Sequence, residues 1–280
     1  MSIFAQFRAI KISCKHAVAE SDGGKIHMYN LERQQDILTL LKTRKSISVT
    51  ELSRAFFASE ATIRRDLSRL EKVGLVKRTH GGVMLLEGAD MEIPLAIRET
   101  EHHGEKQYIG RLASREVKDG DTIILDSSST ALHMTPHLKA RKDLTVITNG
   151  ARTAIELGQH LDLRVLCSGG WLRENSLSYV GGVAMRTLSD YRVRTLFFAC
   201  RAVSMENGLS DPNEEEASLR RAMISRSDRV ILLCDSSKFD KSSFCVVCDF
   251  NAIHCLITDR QPDPAWMEFL TGHHVSVIYH

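Results

Sequence analysis

Between Ser59 and Lys72 a run of cationic side chains recurs with helical spacing, and their chemistry suits contact with nucleic acid. Ile63, Leu67 and Leu70 stand at i, i+4 and i+7, so they share a face that must be buried. At about 100° per residue, Ala61, Arg65, Ser68 and Lys72 point the opposite way. Arg64 flanks that face on one side, Thr62 and Arg69 on the other. An arginine in a major groove donates two hydrogen bonds to guanine or pairs with phosphate, and small neighbours permit close approach. Asp66 falls nearer the core side, where it suits a structural ion pair better than base reading.

The elements that must position this helix are legible on both sides of it. Arg33, Ile37, Leu38, Leu40 and Leu41 predict an earlier supporting helix. Lys45-Ser46-Ile47-Ser48 reads as a break. Val49-Thr50 opens a short helix through Phe56, with Thr50 as its N-cap. Phe57-Ala58 is the turn, and Ser59 caps the cationic helix, which runs from Glu60 to about Val73. Two short helices joined tightly after a longer one form a helix-turn-helix. Beyond Gly74, two short apolar runs around Gly81-Gly82 read as a β-hairpin wing. Its Lys77, Arg78 and His80 are placed to follow phosphates. The expected DNA-binding set is Thr50, Ser59, Glu60, Thr62, Arg64, Arg65, Ser68, Arg69, Lys72, Lys77, Arg78 and His80. The plain alternative is a solvated basic face on an interaction domain, which the whole layout outweighs.

Charge is distributed accordingly. The 280-residue chain has a formal net charge of only +2. Residues 29–88 nevertheless hold eleven Lys and Arg against seven Asp and Glu, and everything beyond is net acidic. A basic N-terminal third on a mildly acidic body is expected when one domain touches DNA and the other does not. The length suits a small domain plus a medium one. The expected division is an N-terminal tail over 1–28, a winged helix-turn-helix over 29–86, a linker over 87–104 containing Pro94, and an α/β domain over 105–280. Arg8, Lys11 and Lys15 interrupt every apolar run of the tail, so it reads neither as a signal peptide nor as a membrane span. Met28 is a plausible alternative start. Seven scattered cysteines suggest free, buried thiols in a reducing cytoplasm. Cys245-Val246-Val247-Cys248 has metal-like spacing but reads as a strand with no second ligand pair. No metal and no cofactor are expected.

A second set of polar residues lies where apolar runs end. Thr122–Leu125, Leu144–Ile147, Leu163–Leu166, Thr195–Ala199, Arg229–Leu233 and Ile253–Ile257 alternate with helical patterns, which predicts a mostly parallel, Rossmann-like sheet with helices on its faces. Ligands in such sheets bind at the carboxyl ends of the strands. Asp126 to Thr130 offers hydroxyls and backbone N–H groups at a helix start, a potential anion site. Thr148-Asn149 and Ser168-Gly169-Gly170 follow other strands, and Arg173 nearby could clamp a phosphate. Each such cluster is also what ordinary helix caps look like.

Arg33-x3-Ile37-x3-Leu41, then Ser59-Glu60-Ala61-Thr62-Ile63-Arg64-Arg65-Asp66-Leu67, closely resembles the helix-turn-helix signature of the DeoR family of transcriptional regulators. Leu70-Glu71-Lys72-Val73-Gly74 and Arg78-Thr79-His80-Gly81-Gly82 resemble that family's wing. The resemblance runs from about Leu31 to the C-terminus. It takes in Leu144–Asn149, Gly169-Gly170-x-Leu172-Arg173, Gly181, Asn213–Ala217 and Leu233–Phe239. It implies a sensor domain folded like sugar-phosphate isomerases, and control by a phosphorylated sugar or related intermediate. Carried over, the effector-binding residues are Asp126, Ser127, Ser129, Thr130, Asn149, Gly170, Arg173, Glu216 and Lys238. Asp126 would repel a phosphate and is assigned to a sugar hydroxyl or to holding the loop. Three stretches depart from the family, one of them Val193-Arg194-Thr195, where Val-Asp-Lys is usual before the apolar strand. Ser128 stands where a glycine is usual, and Ala199-Cys200-Arg201-Ala202 replaces Gly-Ala-Asp-Gly. Arg201 thus brings a cation where an acid is usual and favours a more acidic ligand.

The implied function is a DNA-binding regulator, a repressor of a carbohydrate operon, acting as a homo-oligomer on double-stranded operator DNA. It is not expected to be an enzyme. A sugar-phosphate isomerase is the alternative from fold analogy alone. That alternative leaves the helix-turn-helix without a role and offers no convincing general base. A regulator whose C-terminal domain only oligomerises is the third reading.

Overall fold

The apolar stripe of the supporting helix decides the architecture of the N-terminal unit. In the computed structural model, which describes residues 23–72, 74–79, 81–86, 92–160 and 162–279, the first helix α1 spans Gly23–Arg44. It buries Ile37, Leu38 and Leu41. It takes in residues 23–28, which the sequence assigns to the tail; residues 1–22 lie outside the described residues. Lys45-Ser46-Ile47-Ser48 is not a break. Ser46–Ser48 forms a strand, β1, with Ile47 buried.

The first helix of the helix-turn-helix, α2 (Val49–Ala55), is capped by Ser48 rather than Thr50. Glu51 N donates to Ser48 Oγ at 3.2 Å, and Ser48 N donates to Glu51 Oε2 at 3.0 Å. This reciprocal pair satisfies two backbone donors at once, which a cap at Thr50 cannot match with a glutamate three residues on. The second helix, α3, spans Glu60–Lys72 and buries Ile63, Asp66, Leu67 and Leu70. Strands β2 (Val76–Arg78) and β3 (Gly82–Leu85) pair antiparallel, and β3 also pairs with β1. The wing is therefore a three-stranded sheet in the order β1-β3-β2. Gly82 permits the close approach: a Cβ there would sit 2.4 Å from the Ile47 carbonyl oxygen.

The C-terminal unit begins before the segment that the sequence assigns to it. Residues 92–104 are part of it, not a linker. Helix α4 (Leu95–Thr100) buries Leu95 and Ile97, and Leu95 N donates to Asn175 O at 2.7 Å. Then follow α5 (His103–Ser114), β4 (Thr122–Leu125), α6 (Ser129–Leu132), α7 (Thr135–Leu138), β5 (Leu144–Thr148), α8 (Ala151–Gly158) and β6 (Leu163–Cys167). A hairpin, β7 (Trp171–Arg173) with β8 (Ser178–Val180), leads into α9 (Gly182–Ser189) and β9 (Val193–Phe198). Next come β10 (Ala202–Ser204), β11 (Gly208–Asp211), α10 (Glu214–Ser225), β12 (Ser227–Leu233), β13 (Cys245–Cys248), β14 (Cys255–Ile257), α11 (Pro264–Gly272) and β15 (Ser276–Ile278).

Seven strands form one sheet in the order β15-β14-β12-β9-β4-β5-β6, with every pair parallel. Such a sheet must be covered on both faces. Successive residues point to opposite sides, so Ile124, Leu196, Phe198 and Leu232 enter one apolar cluster while Ile123, Leu125, Phe197 and Ile231 enter the other. The chain leaves β4 towards β5 and β6, then returns to add β9 on the opposite side of β4. That reversal opens a crevice at the carboxyl ends of β4 and β9, the place where doubly wound sheets hold ligands.

Candidate functional site

On the N-terminal unit, α3 presents Arg64, Arg65, Ser68, Arg69 and Lys72 to solvent, and the wing presents Lys77 and Arg78. Arg64 is steadied by Glu60 four residues earlier, Nη2 to Oε2 at 2.7 Å. Thr50 donates to the other Glu60 oxygen at 2.9 Å, tying α2 to the start of α3. Ser59 Oγ accepts from Thr62 N at 3.2 Å. Arg78 donates to Ser68 Oγ at 3.1 Å, which links wing and helix. Arg65 and Arg69 hold no ion pair or hydrogen bond with a described residue. Asp66 is buried and accepts from Arg33 Nε at 2.6 Å and Gln34 Nε2 at 3.3 Å, which fixes the helix against α1. His80 lies outside the described residues.

On the C-terminal unit, the crevice between β4 and β9 is a partly open cleft lined by polar and charged side chains. It brings together Ser129, Thr130, Glu216 and Lys238 from the sequence-predicted set. The hydroxyls of Ser129 and Thr130 hold no hydrogen bond to a described residue. Asp126, Ser127, Asn149, Gly170 and Arg173 do not line it. Arg173 is engaged elsewhere: its Nη2 pairs with Glu92, its Nη1 with Glu215 at 3.0 Å, and its Nε lies 3.8 Å from Glu216. Three carboxylates already meet its charge, so it offers no clamp. Asn149 Nδ2 reaches Ser127 Oγ at 3.3 Å and Tyr179 O at 3.4 Å, which joins the ends of β4 and β5 to the hairpin. Gly170 has φ +111°, and a Cβ would meet the Val180 carbonyl oxygen at 2.5 Å. It is there so that the hairpin can close.

The start of α6 also differs from its reading as an anion site. The helix has four residues, too few to build a macrodipole, and Ser128 Oγ already accepts from Ala131 N at 3.1 Å while donating to Asp126. Charge in the cleft comes instead from the side chains of Arg98, Lys106, Arg201, Arg220 and Lys238. Arg220 is buried and donates to Asp126 Oδ2 at 3.0 Å, Asp211 Oδ2 at 3.0 Å and Glu216 Oε2 at 3.3 Å. Asp126 is thus held by Arg220 and Ser128, in keeping with a role in holding the loop. Burial pushes the Asp211 carboxyl up to about 6, against the pull of Arg220. Burial also opposes ionisation of Glu216, but Arg220 and Arg98 outweigh it and hold that group down to about 2. Ser178 donates to its Oε1 at 2.7 Å. Burial lowers Lys106 to about 8, with Lys238 adding repulsion. Burial lowers Lys238 too, Asp235 opposing and Arg201 reinforcing.

Arg98, Lys106 and Arg220 were missed as site residues. Two of them carried a signal. Arg220 follows Glu216 at i+4, the spacing of a helical ion pair. Lys106 occupies the first position of the stripe it shares with Ile109, Gly110 and Ala113, all buried, and a lysine on an apolar face needs a reason. Among the described residues, no group of three or more His, Cys, Asp or Glu is placed to hold a metal ion. Cys245 and Cys248 lie in β13, paired with β11. No helix among the described residues is long and apolar enough to cross a membrane.

Comparison with known proteins agrees with both halves. The profile of the DeoR-like helix-turn-helix domain matches residues 33–88, and that of the DeoR C terminal sensor domain matches residues 101–260. The uncharacterised HTH-type transcriptional regulator YulB of Bacillus subtilis is 42% identical over 88% of this chain and 95% of its own. The HTH-type transcriptional regulator GolR of Listeria innocua is 36% identical over 85% and 94%. A putative aga operon transcriptional repressor of Escherichia coli O157:H7 is 31% identical over 88% and 93%. Among solved structures, ribose 5 phosphate isomerase A of Neisseria gonorrhoeae aligns with 48% of this chain and 52% of its own, at a TM-score of 0.36 and 13% identity, a likeness too distant to bear on function. The relatives are regulators and not enzymes, their similarity runs through both units, and this chain belongs to the DeoR family of DNA-binding transcriptional regulators.

Proposed function

We propose that this regulator represses a carbohydrate-catabolic operon in the cytoplasm and is released when a small phosphorylated sugar or related metabolite enters the cleft at the ends of β4 and β9. The observation that carries the reading is the gathering there of Lys106, Lys238 and the unengaged hydroxyls of Ser129 and Thr130. A phosphate needs charge-assisted donors and hydroxyls at one place. The name of the aga operon relative supports the carbohydrate assignment. On the DNA side, Arg64, Arg65 and Arg69 face base edges, with Ser68, Thr62, Ser59, Thr50 and Glu60 near the groove and Lys72, Lys77, Arg78 and His80 along phosphates.

One recognition helix reads few base pairs, so a symmetric pair of chains is part of the proposal. Exposed apolar side chains on the C-terminal unit support it. Trp171 is 80% exposed, and Leu172, Val183 and Met185 are exposed on the same hairpin and the helix that follows. Such side chains, where they form one surface, mark protein contacts. The test of the effector reading is a thermal-shift screen of the full chain against sugar and polyol phosphates and their unphosphorylated parents. Stabilisation by phosphates alone is the expected result. Stabilisation by neutral sugars, with none from their phosphates, overturns it.

A further inference from the structure

We propose that the cleft is built for a ligand with two anionic groups, a phosphate and a second phosphate or carboxylate, and that Arg201 binds the second. This rests on the reading of the cleft as the effector site.

Of the five cations around the cleft, Arg220 and Arg98 are committed to the protein, and Lys106 spends one of its three donors on it. Arg220 is held by three carboxylates. Arg98 Nε donates to Ile93 O at 2.9 Å, and Lys106 Nζ donates to Arg98 O. The side chains of Arg201 and Lys238 have neither hydrogen bond nor ion pair with any described residue, and both line the cleft. They approach from different strand ends. Arg201 follows β9, and its backbone N is fixed by Ser210 O at 3.1 Å and Asp211 Oδ1 at 3.0 Å. Lys238 closes the turn after β12, where Lys238 N donates to Asp235 O at 3.1 Å. Both positions are therefore set before any ligand arrives.

The two charges also feel each other: burial and Arg201 make Lys238 harder to protonate, and Asp235 and Glu101 offset this only in part. Two partly buried cations that repel and lack full compensation are costly in the empty protein. One anionic group satisfies one of them. A ligand anionic at both ends relieves both, and the two cation types divide the work. The ammonium of Lys238 suits a phosphate as a point charge, while the planar guanidinium fork of Arg201 matches a carboxylate or phosphate with two parallel hydrogen bonds. A phosphorylated sugar acid and a sugar bisphosphate share this chemistry.

Calorimetry on the full chain separates the possibilities, with glucose 6-phosphate, 6-phosphogluconate and fructose 1,6-bisphosphate as probes at fixed salt. At least one doubly anionic probe is expected to bind about tenfold or more tighter than glucose 6-phosphate, the worth of one charge-assisted bond. Arg201→Gln should bring that ratio to about one, and Arg201→Lys should restore part of it. Preference for 6-phosphogluconate identifies the second group as a carboxylate; preference for the bisphosphate identifies a phosphate. Equal affinity for all three, unaltered by Arg201→Gln, overturns this proposal and leaves the phosphate reading standing. No binding by any of the three, together with no stabilisation by any phosphate in the thermal-shift screen, overturns both.

Discussion

Arg220 Nε lies 3.0 Å from Asp126 Oδ2, so a residue in the middle of α10 holds the carboxylate that directly follows the central strand β4. The same guanidinium also grips Asp211 at the end of β11 and Glu216 one turn back in its own helix. One cation thereby fixes the floor of the cleft, and three carboxylates depend on it.

The first prediction follows from that dependence. Arg220→Met leaves buried Asp126 and Asp211 without their counter-charge and Glu216 with only Arg98 and Arg173. Breaking a buried pair from one side costs about 3–5 kcal/mol. In a unit of this size each kcal/mol lowers Tm by about 2–4 °C. Urea denaturation should show the loss, and Asp126→Asn in the same background should recover part of it. A loss below about 1 kcal/mol would mean that the cluster is solvated and not buried in solution.

The second concerns DNA. Arg64→Ala and Arg65→Ala should each weaken specific operator binding by about 1–3 kcal/mol, the usual worth of a bidentate base contact. Lys77→Ala should instead weaken all sequences alike and reduce the salt slope by about one. Glu60→Gln tests the positioning of Arg64, because it loosens the 2.7 Å ion pair that orients the side chain. Fluorescence anisotropy at fixed salt reads all four variants. Unchanged affinity in both arginine variants removes α3 as the reading helix.

How far the sequence carried these conclusions varies with the kind of signal. The parallel strands were legible as apolar runs because both faces of the sheet are covered, and Leu144–Ile147 and Arg229–Leu233 reappear within β5 and β12. The helix-turn-helix was legible because Ile63, Leu67 and Leu70 keep strict helical spacing. The strand Ser46–Ser48 was not: three residues give no periodicity, and its pairing with Gly82–Met84 lies far along the chain. The cap at Ser48 was missed for a smaller reason, since Ser48 and Thr50 both look suitable until Glu51 chooses between them. In the cleft, Arg173 misled because its glutamates come from residue 92 and from α10, a convergence no local pattern records. Residues 92–104 looked like a linker through their polarity and Pro94, yet Arg98 is inside the C-terminal unit with its guanidinium on the Ile93 carbonyl.

The third prediction is an oligomer assembled through the hairpin. Light scattering should show at least two chains at micromolar concentration. Trp171→Asp combined with Leu172→Asp should produce monomers with a native far-ultraviolet spectrum, because both side chains are exposed and leave the core untouched. Those monomers should bind a half-site weakly and lose cooperative operator binding. A wild-type monomer, with and without DNA, would sink the proposal; an oligomer that survives both changes moves the interface elsewhere.

The fourth prediction is a pH dependence of effector binding. Burial, with help from Lys238, has lowered Lys106 to about 8 in the unliganded protein. Because the value is lowered, the ammonium is present below about 8 and is lost as pH rises through it. The phosphate of the ligand is already fully ionised above about pH 7, its second pKa being about 6, so the ligand does not change over the same window. Affinity for a sugar phosphate should therefore fall several-fold between pH 7 and pH 9. An anion beside Lys106 favours the ammonium, so binding at pH 8.5 should take up a proton. Calorimetry in two buffers of different ionisation enthalpy measures that uptake directly. Lys106→Met should flatten the profile and abolish most of the uptake, and what remains is assigned to Lys238, which burial lowers in the same direction. Affinity that holds constant to pH 9, with no proton taken up, would show that neither lysine meets the phosphate.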